Sequence, residues 1–199
     1  MPASHSLSEP DVLLHACCGP CAVGVVSVFE QEGHCVLPFF YNPNIHPAQE
    51  FLQRLEAFHK LCTHHGLPAV VVAEYGLEMF LEAVLGSDKP RCEVCYELRL
   101  FETARRARAR GMKYFSTTLT ISPYQNHELI QQVGRRAAKA HGVEFIYKDL
   151  RERLKVAHEM SDALGLYRQR YCGCIFSEQE RYARALARAA EQARSWSSV

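Results

Sequence analysis

Seven of the nine cysteines in this 199-residue chain fall into three tight groups: Cys17, Cys18 and Cys21; Cys92 and Cys95; Cys172 and Cys174. Thiolates are metal ligands and nucleophiles. Cys92 and Cys95 stand three residues apart, which puts both on one face of a helical turn. Cys172 and Cys174 flank Gly173, so an extended backbone projects both thiols to one side. A structural zinc takes four ligands, and a [4Fe–4S] cluster takes four thiolates. Seven thiols exceed either need by three. Neighbouring Cys17 and Cys18 are expected to point in different directions from a loop. The spacing therefore predicts two adjacent centres sharing that loop: a cluster, and a second metal with an incomplete protein shell. An open position is what a catalytic metal offers its substrate. Cys35, at the start of a strand, and Cys62, on the apolar face of a helix, read as small buried hydrophobes.

The elements that position these thiols follow from the apolar pattern. Val12-Leu-Leu-His-Ala16 reads as a buried strand that runs into the first cysteine loop. Gly19 permits a tight turn there, and Pro20 suits the first turn of the helix that follows. Free backbone N–H groups and the helix dipole favour negative charge at such a junction. Further strands are expected at Cys35–Tyr41, Ala69–Ala73 (buried), Tyr114–Ile121 and Glu144–Tyr147. Helices are expected near 48–65, 77–85, 91–110, 127–140, 152–164 and 177–194. The apolar face of the 48–65 helix is Phe51, Leu52, Leu55, Phe58, Leu61 and Cys62. Ser177 and Glu180 fit a capping box for the last helix.

Strands alternating with helices predict an α/β fold, a mostly parallel five-stranded sheet in a single-domain, three-layer Rossmann-like sandwich with C-terminal helices. Residues 1–10 read as a loose leader and 11–199 as one domain. Ligands of such folds bind beyond the strands' carboxyl ends. The first cysteine loop, Asn42-Pro43-Asn44 and Ser122-Pro123 all follow strands and should share that edge.

Composition narrows the class. Hydrophobic residues make up 48% of the chain, so global disorder is not indicated, and the formal net charge of +1 argues neither for nor against nucleic acid. No signal peptide is read in the first eleven residues. No run approaches the roughly 18 apolar residues needed to span a membrane. A cytoplasmic, reducing setting is expected, where grouped cysteines serve metals or catalysis rather than disulfides. Two rivals share these features. One is a zinc-stabilised RNA-binding module. The other is a thioredoxin-like thiol oxidoreductase built on Cys18-Gly-Pro-Cys21, which would leave the other cysteine groups without a role.

Four stretches together, Leu14-His-Ala-Cys-Cys-Gly-Pro-Cys21, Phe40-Tyr-Asn-Pro-Asn-Ile45, Arg91-Cys-Glu-Val-Cys95 and Tyr167-Arg-Gln-Arg-Tyr-Cys-Gly-Cys-Ile-Phe-Ser177, resemble the QueH family of epoxyqueuosine reductases. The resemblance implies a fold like the adenine-nucleotide α-hydrolase variants of the Rossmann fold. It implies two-electron deoxygenation of epoxyqueuosine to queuosine at the tRNA wobble position. It also implies a [4Fe–4S] cluster beside a mononuclear iron, with a separate electron donor. Cys92, Cys95, one of Cys17 and Cys18, and one of Cys172 and Cys174 are expected on the cluster. The remaining thiols and Cys21 are expected on the iron; some family members carry Asp at the position of Cys21.

Tyr41, Tyr167 and Tyr171 lie beside these motifs and are candidate proton donors. Asn42, Asn44, Thr117, Thr118, Ser122, Arg168 and Arg170 are candidate substrate contacts. His15 reads as a core histidine. Arg99, Arg106 and Arg110 share a helix face that could meet tRNA.

Overall fold

The computed structural model describes residues 9–196. Most of the expected leader lies outside them. Five strands form one sheet: β1 (Val12–Ala16), β2 (Val36–Tyr41), β3 (Val70–Val72), β4 (Tyr114–Thr117) and β5 (Glu144–Phe145). All neighbours run parallel, in the order β3-β2-β1-β4-β5. The helices are α1 (Gly19–Gln31), α2 (Ala48–His64), α3 (Leu77–Leu85), α4 (Arg91–Ala109), α5 (His127–His141), α6 (Leu154–Ala163) and α7 (Ile175–Trp196). The expected α/β fold is present.

β1 is central and all five of its residues are buried, as a strand covered on both faces requires. Alternation along the strands splits the core in two. Val12, Leu14, Val36 and Phe40 pack against α1, α2 and α6 on one face, with Phe29, Phe58 and Ala157. Leu13, Phe39 and Phe115 pack against α4 and α5 on the other, with Leu100, Ala104, Ile130 and Val133. The strand order reverses between β1 and β4, and the crevice beyond that point is where such sheets bind ligands. Cys17 directly follows β1 there.

Several boundaries differ from expectation for local reasons. β3 is an edge strand, so Val71 is 44% exposed rather than buried. β4 stops at Thr117, whose side chain accepts from Leu119 N and starts a 3-10 turn over Thr118–Ile121. The α6 region likewise begins with a 3-10 turn, Arg151–Arg153. β5 is shorter than expected, although Ile146 N still donates to Phe115 O. α7 begins at Ile175, with no Ser177 capping box: Cys174 Sγ accepts from Ser177 N at 3.4 Å, and Glu180 pairs instead with Arg91. On α2, Leu52 is 61% exposed, and Arg54 takes a place on the buried face.

Gly19 sits where the start of α1 meets the backbone of α2. A Cβ there would lie 2.4 Å from Ala57 O and 2.8 Å from its carbonyl carbon. Backbone cannot yield as a side-chain tip can. Gly19→Ala is expected to cost about 1–3 kcal/mol by overpacking, read as a lower urea midpoint at an unchanged slope.

Candidate metal centre

The end of β1 and the start of α1 place three buried sulfurs together. Cys17 follows the strand, Cys18 is the extended N-cap residue, and Cys21 lies in the first helical turn. Their sulfurs all lie within 4.8 Å of one another, with Cys17 and Cys18 Sγ 3.8 Å apart. The expectation that Cys17 and Cys18 diverge is corrected: the extended backbone of Cys18, entering the helix, turns both thiols inward. Cys17 N donates to Thr118 Oγ1, and Gln169 Nε2 reaches Cys21 Sγ at 3.5 Å. Hydrogen bonds from Cys18 and Cys21 hold the Cys17 thiol well below its ordinary range. Burial and hydrogen bonding to Cys17 push Cys18 up, and bonding to Cys17 and Cys18 pushes Cys21 up. The close approach of all three sulfurs argues against an isolated Cys18–Cys21 redox pair.

The other four thiols come from α4 and from the segment before α7. Cys92 and Cys95 occupy the first turns of α4, Cys92 exposed and Cys95 buried. Cys172 and Cys174 approach from the segment before α7. Cys174 packs with Cys95 and Phe80, and Gln125 Nε2 donates to Cys172 Sγ at 3.3 Å. Burial pushes Cys95 up to about 12, and charge on Cys172, Cys174 or Cys92 pushes the same way. Gly173 between the last two thiols has φ +137°, a conformation that favours glycine.

Two buried arginines connect these groups, and the sequence reading missed both roles. Arg99 was expected to face tRNA. It is instead buried, donating from Nη2 to Cys95 Sγ at 3.1 Å and from Nε to Cys95 O. Burial opposes its charge, but Cys95, Cys172 and Cys17 together more than offset this. Arg54 donates from Nε to Glu50 (2.7 Å), from Nη1 to Cys172 O (3.0 Å) and from Nη2 to Tyr171 O (2.9 Å). Burial again opposes the charge, and Cys18, Cys17 and Glu50 outweigh it. The one signal in the sequence was a charged residue inside the apolar stripe of α2.

A cavity of about 630 Å³ opens beside these groups, lined by Cys17, Cys21, Cys172, Thr118, Ser122 and Arg170 among others. Of the remaining candidates, Tyr171 and Arg168 also line it. Tyr171 OH donates to His46 O at 2.6 Å, and Arg168 pairs with Asp162. Tyr167 stands behind the wall, donating to Glu50 Oε2; burial and that carboxylate push it up to about 12.

Four candidates lie elsewhere. Tyr41 stacks on Phe39, on the α4 face of the sheet. Thr117 is engaged by His15 Nδ1 and Leu119 N. Asn42 is buried and donates to Ala16 O, bracing the end of β1. Asn44 is buried beside it. His15 is a core residue, as expected, with burial lowering it to about 4.

The donor chemistry fits a metal group. Three mutually close buried sulfurs, Cys172 at the same cavity as two of them, and two buried cations make a site suited to an anionic metal group. The Gln169 Oε1 and both amide atoms of Asn44 are buried without hydrogen-bond partners. No helix among the described residues is long and apolar enough to cross a membrane.

Comparison with known proteins gives one consistent answer. A family model described as epoxyqueuosine reductase QueH matches residues 12–180. A protein of Dehalococcoides mccartyi named epoxyqueuosine reductase QueH is 39% identical, covering 87% of this chain and 95% of its own. Its namesake in Thermotoga maritima is 38% identical over 85% of this chain and 91% of its own. A third, from Acinetobacter baylyi, is 34% identical over 83% and 79%.

Proposed function

Because the chain belongs to the QueH family of epoxyqueuosine reductases, we propose that its cavity receives the epoxyqueuosine nucleotide of tRNA and that its seven grouped thiols hold the metal group that reduces it. The observation that carries this reading is the set of three buried sulfurs within 4.8 Å of one another, two of which, Cys17 and Cys21, line the same cavity as Cys172. The overall change is removal of the epoxide oxygen as water, leaving an alkene, with two electrons and two protons taken up.

Cys92, Cys95, one of Cys17 and Cys18, and one of Cys172 and Cys174 would hold a [4Fe–4S] cluster. Cys21 and the remaining thiols would hold one further iron. When bound, such a group supplies electrons and a Lewis-acid position. The chain's own residues do the rest. Arg54 and Arg99 offset thiolate charge from inside the protein, where low dielectric strengthens the effect. Thr118, Ser122 and Gln125 offer polar atoms at the cavity wall for the modified base. Arg170 stands at the wall for phosphate. A single loop nucleotide drawn into a pocket and read on its edges is the usual way proteins recognise RNA loops. Tyr171 is the candidate donor that reaches the cavity, although its hydroxyl is engaged by His46 O.

The test is iron and acid-labile sulfide per chain in protein purified without oxygen, with mass analysis of the tRNA nucleoside after reduction. About five irons and four sulfides are expected, with loss of one oxygen from the nucleoside. Zinc without sulfide would leave the thiols as structural staples of an RNA-binding module and overturn the reading.

A further inference from the structure

We propose that α7 is an arm that lies along the tRNA phosphate backbone flanking the nucleotide in the cavity, gripping it through Arg181, Arg184 and Arg188. The partner's identity rests on the reductase reading above; the arm itself rests on geometry and charge.

α7 has 22 residues and none of them is buried. It spans about 33 Å at 1.5 Å per residue. Such a helix must hold itself together, and its composition does so: Ala183, Ala185, Ala187, Ala189, Ala190 and Ala193 are interspersed with arginines, the strongest helix formers among small and among long cationic side chains. A helix that needs no core to exist is free to serve as a surface.

One side of it is continuous with the cavity. Ser177 and Arg181 both line that cavity. Arg184 and Arg188 stand seven and eleven residues beyond Ser177, which returns them to the same side of the helix. A row of cations thus leaves the cavity mouth and runs outward, with Arg181 and Arg188 separated by about 10 Å of helix rise.

The charge on this row is unspent. Several arginines elsewhere are tied to acids, as Arg91 is to Glu180, Arg105 and Arg106 to Glu102, and Arg136 to Glu93, although Arg108, Arg110 and Arg135 are not. Among the described residues Arg181, Arg184 and Arg188 have no ion pair; Arg188 Nε makes only a long bond to Arg184 O. A nucleotide held in the cavity by its base leaves its flanking phosphates at the mouth. Phosphate is the ligand that a guanidinium fork matches. The opposite side of α7 carries exposed Tyr182 and Leu186, and a second copy seated on that seam is the rival occupant.

The deciding measurement is the affinity of the full-length, anaerobically loaded protein for a tRNA transcript with a queuosine-type anticodon, across a salt series. R184A/R188A is expected to bind about tenfold more weakly near 0.1 M salt, with a slope of log K against log salt shallower by about 1 to 2. Its iron and sulfide content should equal that of the unaltered chain. L186E should keep the original slope. An unchanged slope in R184A/R188A overturns the proposal. So does a dimer, seen by sedimentation, that L186E dissolves together with tRNA affinity. Unaltered protein that fails to remove the epoxide oxygen, yet shows the slope difference, keeps the arm and discards the reductase reading. Active protein with equal slopes does the reverse.

Discussion

Cys21→Ala is expected to lower deoxygenation by roughly three orders of magnitude or more, since a metal's stabilisation of a leaving oxygen is worth several kcal/mol. The fold should survive. Cys21 lies in the first turn of α1, where alanine is a strong helix former, and Cys17 and Cys18 stay in place. The thiols proposed to hold the cluster, on α4 and in the Cys172–Cys174 segment, are untouched. Metal analysis should therefore fall from about five irons to about four, with sulfide still near four per chain. Cys21→Asp supplies a harder oxygen ligand that iron accepts, and is expected to retain the fifth iron and measurable turnover. Full activity and iron in Cys21→Ala would remove that residue from the site.

Arg54→Met is expected to cost about 3–5 kcal/mol, because it strands the buried Glu50 carboxylate without its partner. Glu50 and Arg54 are both buried, 2.7 Å apart, with side chains only 6% and 1% exposed. The same substitution removes the donors to Tyr171 O and Cys172 O, so the wall bearing Cys172 should loosen. Urea denaturation reads the first effect, and faster proteolysis after Arg168 and Arg170 reads the second. Adding Glu50→Gln to Arg54→Met should recover part of the stability, since the uncompensated charge is gone. It should not recover the protection of the 168–172 segment. Recovery of both would mean that Arg54 holds only its own helix.

The sequence made the architecture legible wherever hydrophobic pattern and chain punctuation agreed. β1, α3 and α5 were legible to within a residue or so, because apolar period, glycine stops and loop prolines all pointed the same way. β3 was misjudged because a run of valines has the same pattern at a sheet's edge as at its centre. The thiols could be grouped from spacing alone, but their directions could not: whether Cys17 and Cys18 diverge depends on the extended backbone of Cys18 at the helix N-cap. Arg54 and Arg99 were harder still. An arginine among apolar residues reads as a solvated one until its partners are known, and those partners lie more than a hundred residues away for Arg54. Asn42 and Thr117 were read as substrate contacts because they sit at strand ends. The same position gives each a backbone atom or a histidine to brace.

The placement of the sulfurs also bears on how a metal group would reach them. Phe29, Phe40 and Phe58 share one core with Cys17, Cys18 and Cys21, while Phe39 and Phe115 close the other side of the sheet in a cluster that holds no thiol. The candidate donors sit at the margin of these cores, at a strand end and in the first turns of helices. A small zinc domain gains its fold by capturing its ion; a five-stranded sheet with two apolar cores has other sources of stability. On the proposed iron–sulfur reading, loading is then a delivery step rather than the event that makes the fold. Its expected consequence is that a shortage of iron and sulfide lowers activity without a matching loss of folded protein.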